Sequence, residues 1–271
     1  MTSPTVLSDA LAVPDVTPAE AEILAQTELS RLLALLESMD AEDWGKPTAC
    51  TEWNVRDMTA HQAGAYASGT GYGELIHQYM AALKPGQLAE DAINRRQLTD
   101  RAAKSPAELI AEIRQHGATA VHNWAYGFRL FKPLGIPHPA TGWLGMRYLM
   151  LVVHSRDTWI HRLDICRATD RPFEQTIPHD SRINALVVRD LARLLQRKLD
   201  GKAIALELTG IAGGNWRLGS GDPAATIRMD TLDFNIYASG RYSYEQAVSH
   251  AALAGDLELT ERVLRNFGVL Y

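Results

Sequence analysis

The sequence is short of cysteine, of long apolar runs and of positive charge, and each shortage removes a class of protein. Two cysteines in 271 residues, Cys50 and Cys166, cannot build a disulfide framework and do not have the spacing of a zinc knuckle. A reducing compartment, the cytoplasm, is expected. The longest apolar run near the middle of the chain, Leu149 to Val153, is far below the ~18 residues that would span a bilayer. The first residues, MTSPTVLSDALAVPDV, have neither a positive start nor a sustained apolar stretch, so they are not read as a secretory signal. Lys and Arg number 27 against 32 Asp and Glu, a formal charge of −5, so the basic excess that grips phosphate backbones is missing. Neither nucleic acid nor a membrane is expected as a partner, a small-molecule substrate is, and an oligomer is possible without being indicated. The glycine clusters at 69–73 and 210–221 fit neither a dinucleotide fingerprint nor a phosphate-binding loop, and no Gly-x-Ser-x-Gly elbow occurs.

What is present is an ordinary globular composition, 46% hydrophobic and 22% charged, in a chain long enough for two domains. Residues 1–16 hold two prolines and no period, and read as a flexible leader. Thr17-Pro18-Ala19-Glu20 combines a capping hydroxyl, a proline at the first helical position and a glutamate three residues on, which predicts a helix over 18–39. Asn54 opens a second helix carrying His61, interrupted at Gly69, Gly71 and Gly73 before continuing through Ile76 and Tyr79. Ser105-Pro106-Ala107-Glu108 repeats the first capping pattern. The proline- and glycine-rich stretch 131–142 reads as loop, and a fourth helical pattern runs from about Trp143 to Ala168. Four long helices over 17–175 predict an antiparallel bundle. Beyond it come a helix over 180–198 and an alternating strand at Ile204, Leu206 and Leu208. A hairpin partner at Trp216–Leu218, a strand at Ala225–Met229 and a closing helix over 256–267 follow. The fold class is therefore α followed by α+β, with a small α+β domain over 180–271.

The fourth helical segment reads HSRDTWIHRLD over 154–164, and at 100° per residue His154, Asp157, His161 and Asp164 share an arc of about 80°. The surrounding residues are too apolar for a solvated helix, so this face turns toward the bundle interior or a cleft. Asp157 and His161, four residues apart, can reach one point between turns. Two ligands do not make a site. His61 is the best third candidate, because it lies in an amphipathic stretch two turns from a capped helix start. Two imidazoles and one carboxylate leave coordination positions open, which suits a catalytic divalent metal, zinc first and iron, nickel or manganese also.

TEWNVRDMTAH (51–61) and RDTWIHRLDICRATDR (156–171) resemble the two signature stretches of the mycothiol-dependent maleylpyruvate isomerase family. The resemblance implies a DinB-like four-helix bundle with one metal histidine after a Trp-x-Val-x-Asp helix start, matched by Trp53, Val55, Asp57 and His61. It implies a carboxylate and a second histidine on the last bundle helix, matched by Asp157 and His161. The family's usual carboxylate is glutamate; here it is aspartate, one methylene shorter. GGNWRL (213–218), SGRYSYEQA (239–247) and LAGDLELTERVL (253–264) are similar to the sterol-carrier-like domain that follows the bundle in that family. The likeness covers roughly 15–270 and implies mycothiol as thiol co-substrate, a small electrophilic substrate, and isomerisation or S-transfer.

Two other readings stay open: a metal-binding protein without thiol chemistry, either a hydrolase or merely metal-stabilised, and a non-catalytic small-molecule carrier. His154 and Asp164 are candidates for supporting the ligands from behind. Arg156, Arg162 and Arg241 could balance substrate carboxylates, with surface ion pairing as the plainer role. His77, His116, His122, His138, His179 and His250 have no partner at ligand spacing. Cys166 points about 140° away from His161 and reads as a small core residue. Cys50 reads as a loop thiol that could approach the site.

Overall fold

The computed structural model describes residues 6–83, 88–138 and 142–271. They form two compact units: a helical one within Val16–Pro137 and Trp143–Phe173, and a second holding residues 6–15, His138, Gly142 and Glu174–Tyr271. Among the described residues no helix is long and apolar enough to cross a membrane.

After a two-residue strand, β1 (Ser8–Asp9), which belongs to the second unit, the helical unit opens with α1 (Pro18–Glu37), where Thr17 Oγ1 accepts from the Glu20 amide at 3.2 Å. α2 (Val55–Ser68) starts with a reciprocal cap: Asn54 Oδ1 accepts from the Asp57 amide at 2.9 Å and Asp57 accepts from the Asn54 amide at 3.3 Å. α3 (Tyr72–Tyr79) follows the glycine break. α4 (Ala89–Asp100) was not foreseen in the pattern, because its sequence AEDAINRRQLTD has no apolar stripe and buries only Ala92 and Gln97. α5 (Pro106–Tyr126) begins at the expected Ser105 cap.

The predicted loop 131–142 instead holds a short strand, β2 (Gly135–His138), paired with β3 (Gly142–Gly145), which occupies the start expected of the fourth helix. Proline bars helix there but is tolerated at a sheet edge, and residues 139–141 lie outside the described residues. The last bundle helix accordingly starts three residues later than expected. It comprises α6 (Met146–Tyr148), a π-helical turn at Leu149–Val153, and α7 (His154–Ala168). α1, α2, α5 and the last helix pack around Leu32, Leu36, Met58, Leu109 and Ile113, each buried. Every such side chain contributes about 1.5–3 kcal/mol by leaving water.

The second unit contains α8 (Ile177–Leu195), β4 (Ala203–Thr209), β5 (Gly214–Gly219), β6 (Pro223–Asp230), α9 (Thr231–Ala238), α10 (Tyr244–Ser249), β7 (Ala251–Gly255) and α11 (Leu257–Leu264). The strands form one sheet in the order β1-β5-β4-β6-β7. The hairpin is antiparallel, with Leu206 opposite Trp216, while β4 and β6 are parallel, with Leu206 opposite Ile227. Gly219 ends β5 at φ 91°, where a Cβ would stand 2.3 Å from the Lys202 carbonyl oxygen.

The leader is a correction. Ser8 and Asp9 pair in parallel with Trp216 and Arg217, Asp9 Oδ2 accepts from Arg217 Nη2 at 3.0 Å, and buried Arg189 donates to Asp15 Oδ1 at 2.8 Å. A two-residue strand held by ion pairs leaves no periodicity to read.

Candidate metal centre

His61 comes from the second turn of α2, and Asp157 and His161 from successive turns of α7. The structure brings all three together. His61 Nε2 lies 3.4 and 3.3 Å from the two oxygens of Asp157, and His161 Nε2 lies 3.2 Å from Asp157 Oδ1. One donor atom from each residue falls within 4.8 Å of the others. The imidazole rings meet edge to face at 4.9 Å, and each histidine is only 6% exposed.

Burial alone would raise the Asp157 carboxyl, but the neighbouring His161 and His61 outweigh it and hold the group well below the usual carboxylate range. Burial would likewise lower His161. The Asp157 charge and hydrogen bonds to Asp157, Asp164 and Cys50 reverse this and hold the imidazole well above its ordinary value. Positive charge beside the Asp157 carboxylate is therefore favoured.

Each ligand candidate is held from behind. Asp164, 1% exposed, places Oδ2 3.3 Å from His161 Nδ1. Gln62 Nε2 donates to Asp157 Oδ2 at 2.7 Å, while Gln62 Oε1 accepts from Thr158 Oγ1 at 2.9 Å. His61 Nδ1 stands 2.7 Å from Gln97 Oε1. Sequence reading missed both glutamines. Gln62 offered only its place beside His61, and Gln97 lies on a helix whose polar sequence shows no buried face.

His154 stacks flat on Trp124, with ring centroids 4.3 Å apart, and burial pushes its imidazole down to about 4. Cys50 does approach the site, its Sγ 4.0 Å from Asp164 Oδ2, and with His161 and Asp164 it forms a second converging group. Cys166 is buried, its thiol donating to the Pro172 carbonyl at 3.6 Å and pushed up to about 11 by burial.

Surface pairing does not hold for Arg156 and Arg162, which are 1% and 2% exposed. Arg162 Nε donates to buried Glu28 at 2.9 Å and its guanidinium covers the Phe173 ring at 4.0 Å. Arg241 donates to the Ser239 carbonyl. His77, His122 and His250 pair with Asp100, Glu22 and Asp233. His179 is buried and His116 lies on α5, while the His138 side chain falls outside the described set.

Trp53 lies against both histidines, its ring 5.0 Å from His61 and 5.9 Å from His161. Trp53 and Cys50 also line a cleft of about 580 Å³ whose further walls include Glu52, Asp91, Asn94 and Arg95. None of the trio lines this cleft; Trp53 is the residue that both lines it and packs on the two histidines. Two imidazole nitrogens and a carboxylate oxygen, converging beside a cleft and braced by outer hydrogen bonds, are a donor set that a divalent cation could occupy.

No curated protein matches the chain. Two solved structures are similar in fold: mycothiol-dependent maleylpyruvate isomerase, with TM-score 0.56, and a histidine-to-alanine mutant of it, with TM-score 0.55. Each is 15% identical, with 92% of this chain and 96% of the other covered. Residues 25–166 match the family model described as the mycothiol maleylpyruvate isomerase N-terminal domain. That match spans more than half of the chain and contains His61, Asp157 and His161, and on it the chain belongs to the mycothiol maleylpyruvate isomerase family.

Proposed function

We propose that this chain is a metal- and mycothiol-dependent enzyme that isomerises, or transfers sulfur to, a small electrophilic molecule, with the cation held by His61, Asp157 and His161. The observation that carries the reading is the convergence of two buried imidazoles on one carboxylate beside a cleft. A bound divalent cation, zinc first, supplies the charge that keeps a thiol ionised at neutral pH.

The chain's own residues prepare that chemistry. Gln62 anchors the Asp157 carboxylate, Asp164 orients the His161 ring, and Gln97 orients His61. Trp53 shields the histidines from water and forms the adjoining wall of the cleft. Holding the reactants in the cleft on the other side of Trp53 would convert a two-body encounter into an oriented one. In the isomerisation, thiolate sulfur adds to a conjugated carbon–carbon double bond as its electron pair moves onto the conjugated carbonyl oxygen, rotation follows about the resulting single bond, and return of the pair expels the thiolate and restores the double bond. Nothing is consumed.

The test is to incubate the purified protein with mycothiol and maleylpyruvate before and after chelation, beside the His61→Ala variant. Isomerisation that requires thiol, stops on chelation, returns with zinc and is absent from the variant is expected. Turnover without thiol would point to the hydrolytic reading, and thiol-dependent turnover that survives chelation would overturn the role of the metal.

A further inference from the structure

We propose that Glu74, Gln78 and Gln97 form a directional amide relay that fixes the tautomer of His61 and thereby sets how tightly the trio holds a cation. The relay rests on the metal reading for its purpose but not for its geometry. Gln78 Nε2 donates to the Gly64 carbonyl and to Glu74 Oε1, both at 2.9 Å. Gln97 Nε2 donates to Gln78 Oε1 at 2.8 Å, and Gln97 Oε1 faces His61 Nδ1 at 2.7 Å.

The direction of this chain is dictated by chemistry. A backbone carbonyl and a carboxylate can only accept, so the amide end of Gln78 must face them and its oxygen must face Gln97. That oxygen needs a donor, so Gln97 turns its own amide toward it and its oxygen toward His61. The imidazole must then donate from Nδ1, which in the neutral ring leaves the lone pair on Nε2, the atom that faces Asp157. The relay amounts to a carboxylate–imidazole support stretched across two amides, with each bond polarising the next.

Burial and backbone geometry agree. Gln78 and Gln97 are 0% and 3% exposed, and an amide placed there without partners would carry a desolvation cost. Gly64, in the interior of α2, gives Gln97 room to lie against that helix: a Cβ at Gly64 would stand 2.5 Å from Gln97 Cγ and 2.6 Å from its Cβ. One glycine thus provides the space for the second amide and the carbonyl that orients the first.

The experiment has two readouts. Long-range ¹H–¹⁵N correlation on the metal-free protein at alkaline pH reports which His61 nitrogen carries the proton. Competition with a chromophoric chelator reports zinc affinity. Wild type is expected to show the Nδ1–H tautomer, and Gln97→Leu to show a mixture and bind zinc about 10- to 100-fold more weakly. Gln97→Glu keeps an acceptor for Nδ1–H while taking the donor from Gln78 Oε1, so it should hold the Nδ1–H tautomer yet bind zinc more weakly than wild type. Gly64→Ala removes no polar group, yet by displacing Gln97 it should weaken zinc binding, and it covers the case in which Gln97→Leu fails to fold. An Nε2–H tautomer in wild type, or equal zinc affinity in wild type and Gln97→Leu, overturns the relay. A wild-type protein with the Nδ1–H tautomer that binds no zinc overturns the metal reading and leaves the tautomer assignment standing.

Discussion

Gln62 Nε2 donates to Asp157 Oδ2 across 2.7 Å, so the residue next to His61 in the chain anchors the carboxylate that His61 faces. The carboxylate only accepts, which fixes the direction of the contact and leaves the amide oxygen of Gln62 to accept from Thr158 Oγ1. Replacing Gln62 with Leu leaves the carboxylate oxygen without its donor. Zinc affinity is expected to fall about 10- to 100-fold, measured by chelator competition, while the helical circular dichroism is retained.

The contrast between Gln62 and Gln97 shows what the sequence made legible. Caps at Thr17, Asn54 and Ser105 announced three helix starts, because a hydroxyl or amide followed by an acid three residues on is a local arrangement. Asp157 and His161 were legible for the same reason, since helical spacing sets their separation. The residue that holds His61 from behind was not. Gln97 reaches it from 36 residues away on a helix whose composition suggests a solvated surface, and its burial depends on the small residue Gly64 in another element. β1 escaped notice because two residues cannot show a period, and the π-helical turn at Leu149–Val153 because its apolar residues read as continuous helix.

His154 gives the protein a pH dependence of defined sign. Its folded value of about 4 lies below the ordinary 6.5, so between those values the unfolded chain binds a proton that the folded chain rejects. The contribution is complete above about 6.5 and is lost as pH falls toward 4, by at most about 3 kcal/mol. Urea unfolding at about pH 7 and about pH 4.5 should show the difference. His154→Phe, which keeps a ring against Trp124, should reduce it; an unchanged slope would assign the pH dependence to other groups.

Arg162 and Glu28 form a buried ion pair at 2.9 Å, 2% and 0% exposed. Arg162→Met leaves the Glu28 carboxylate buried without its main counter-charge, at an expected cost of about 3–5 kcal/mol. Denaturant unfolding reads this loss. Zinc content at temperatures where the variant stays folded should equal that of wild type, which separates packing of the bundle from the metal centre.

Asp157 supplies the only anionic ligand in the proposed trio. Asp157→Asn keeps its shape and its reach toward both histidines but removes the charge, so zinc binding should fall by orders of magnitude while the protein remains folded. Titration followed by isothermal calorimetry reads the difference, and unaltered affinity would assign the zinc to other residues.

The most direct measurement is the metal content of the purified protein by elemental analysis, made on wild type and on His61→Ala and His161→Ala. The expected result is close to one equivalent of a divalent metal in wild type, and a small fraction of that in each variant despite intact folding. Stoichiometric metal in both variants would contradict the assignment of the centre to these side chains.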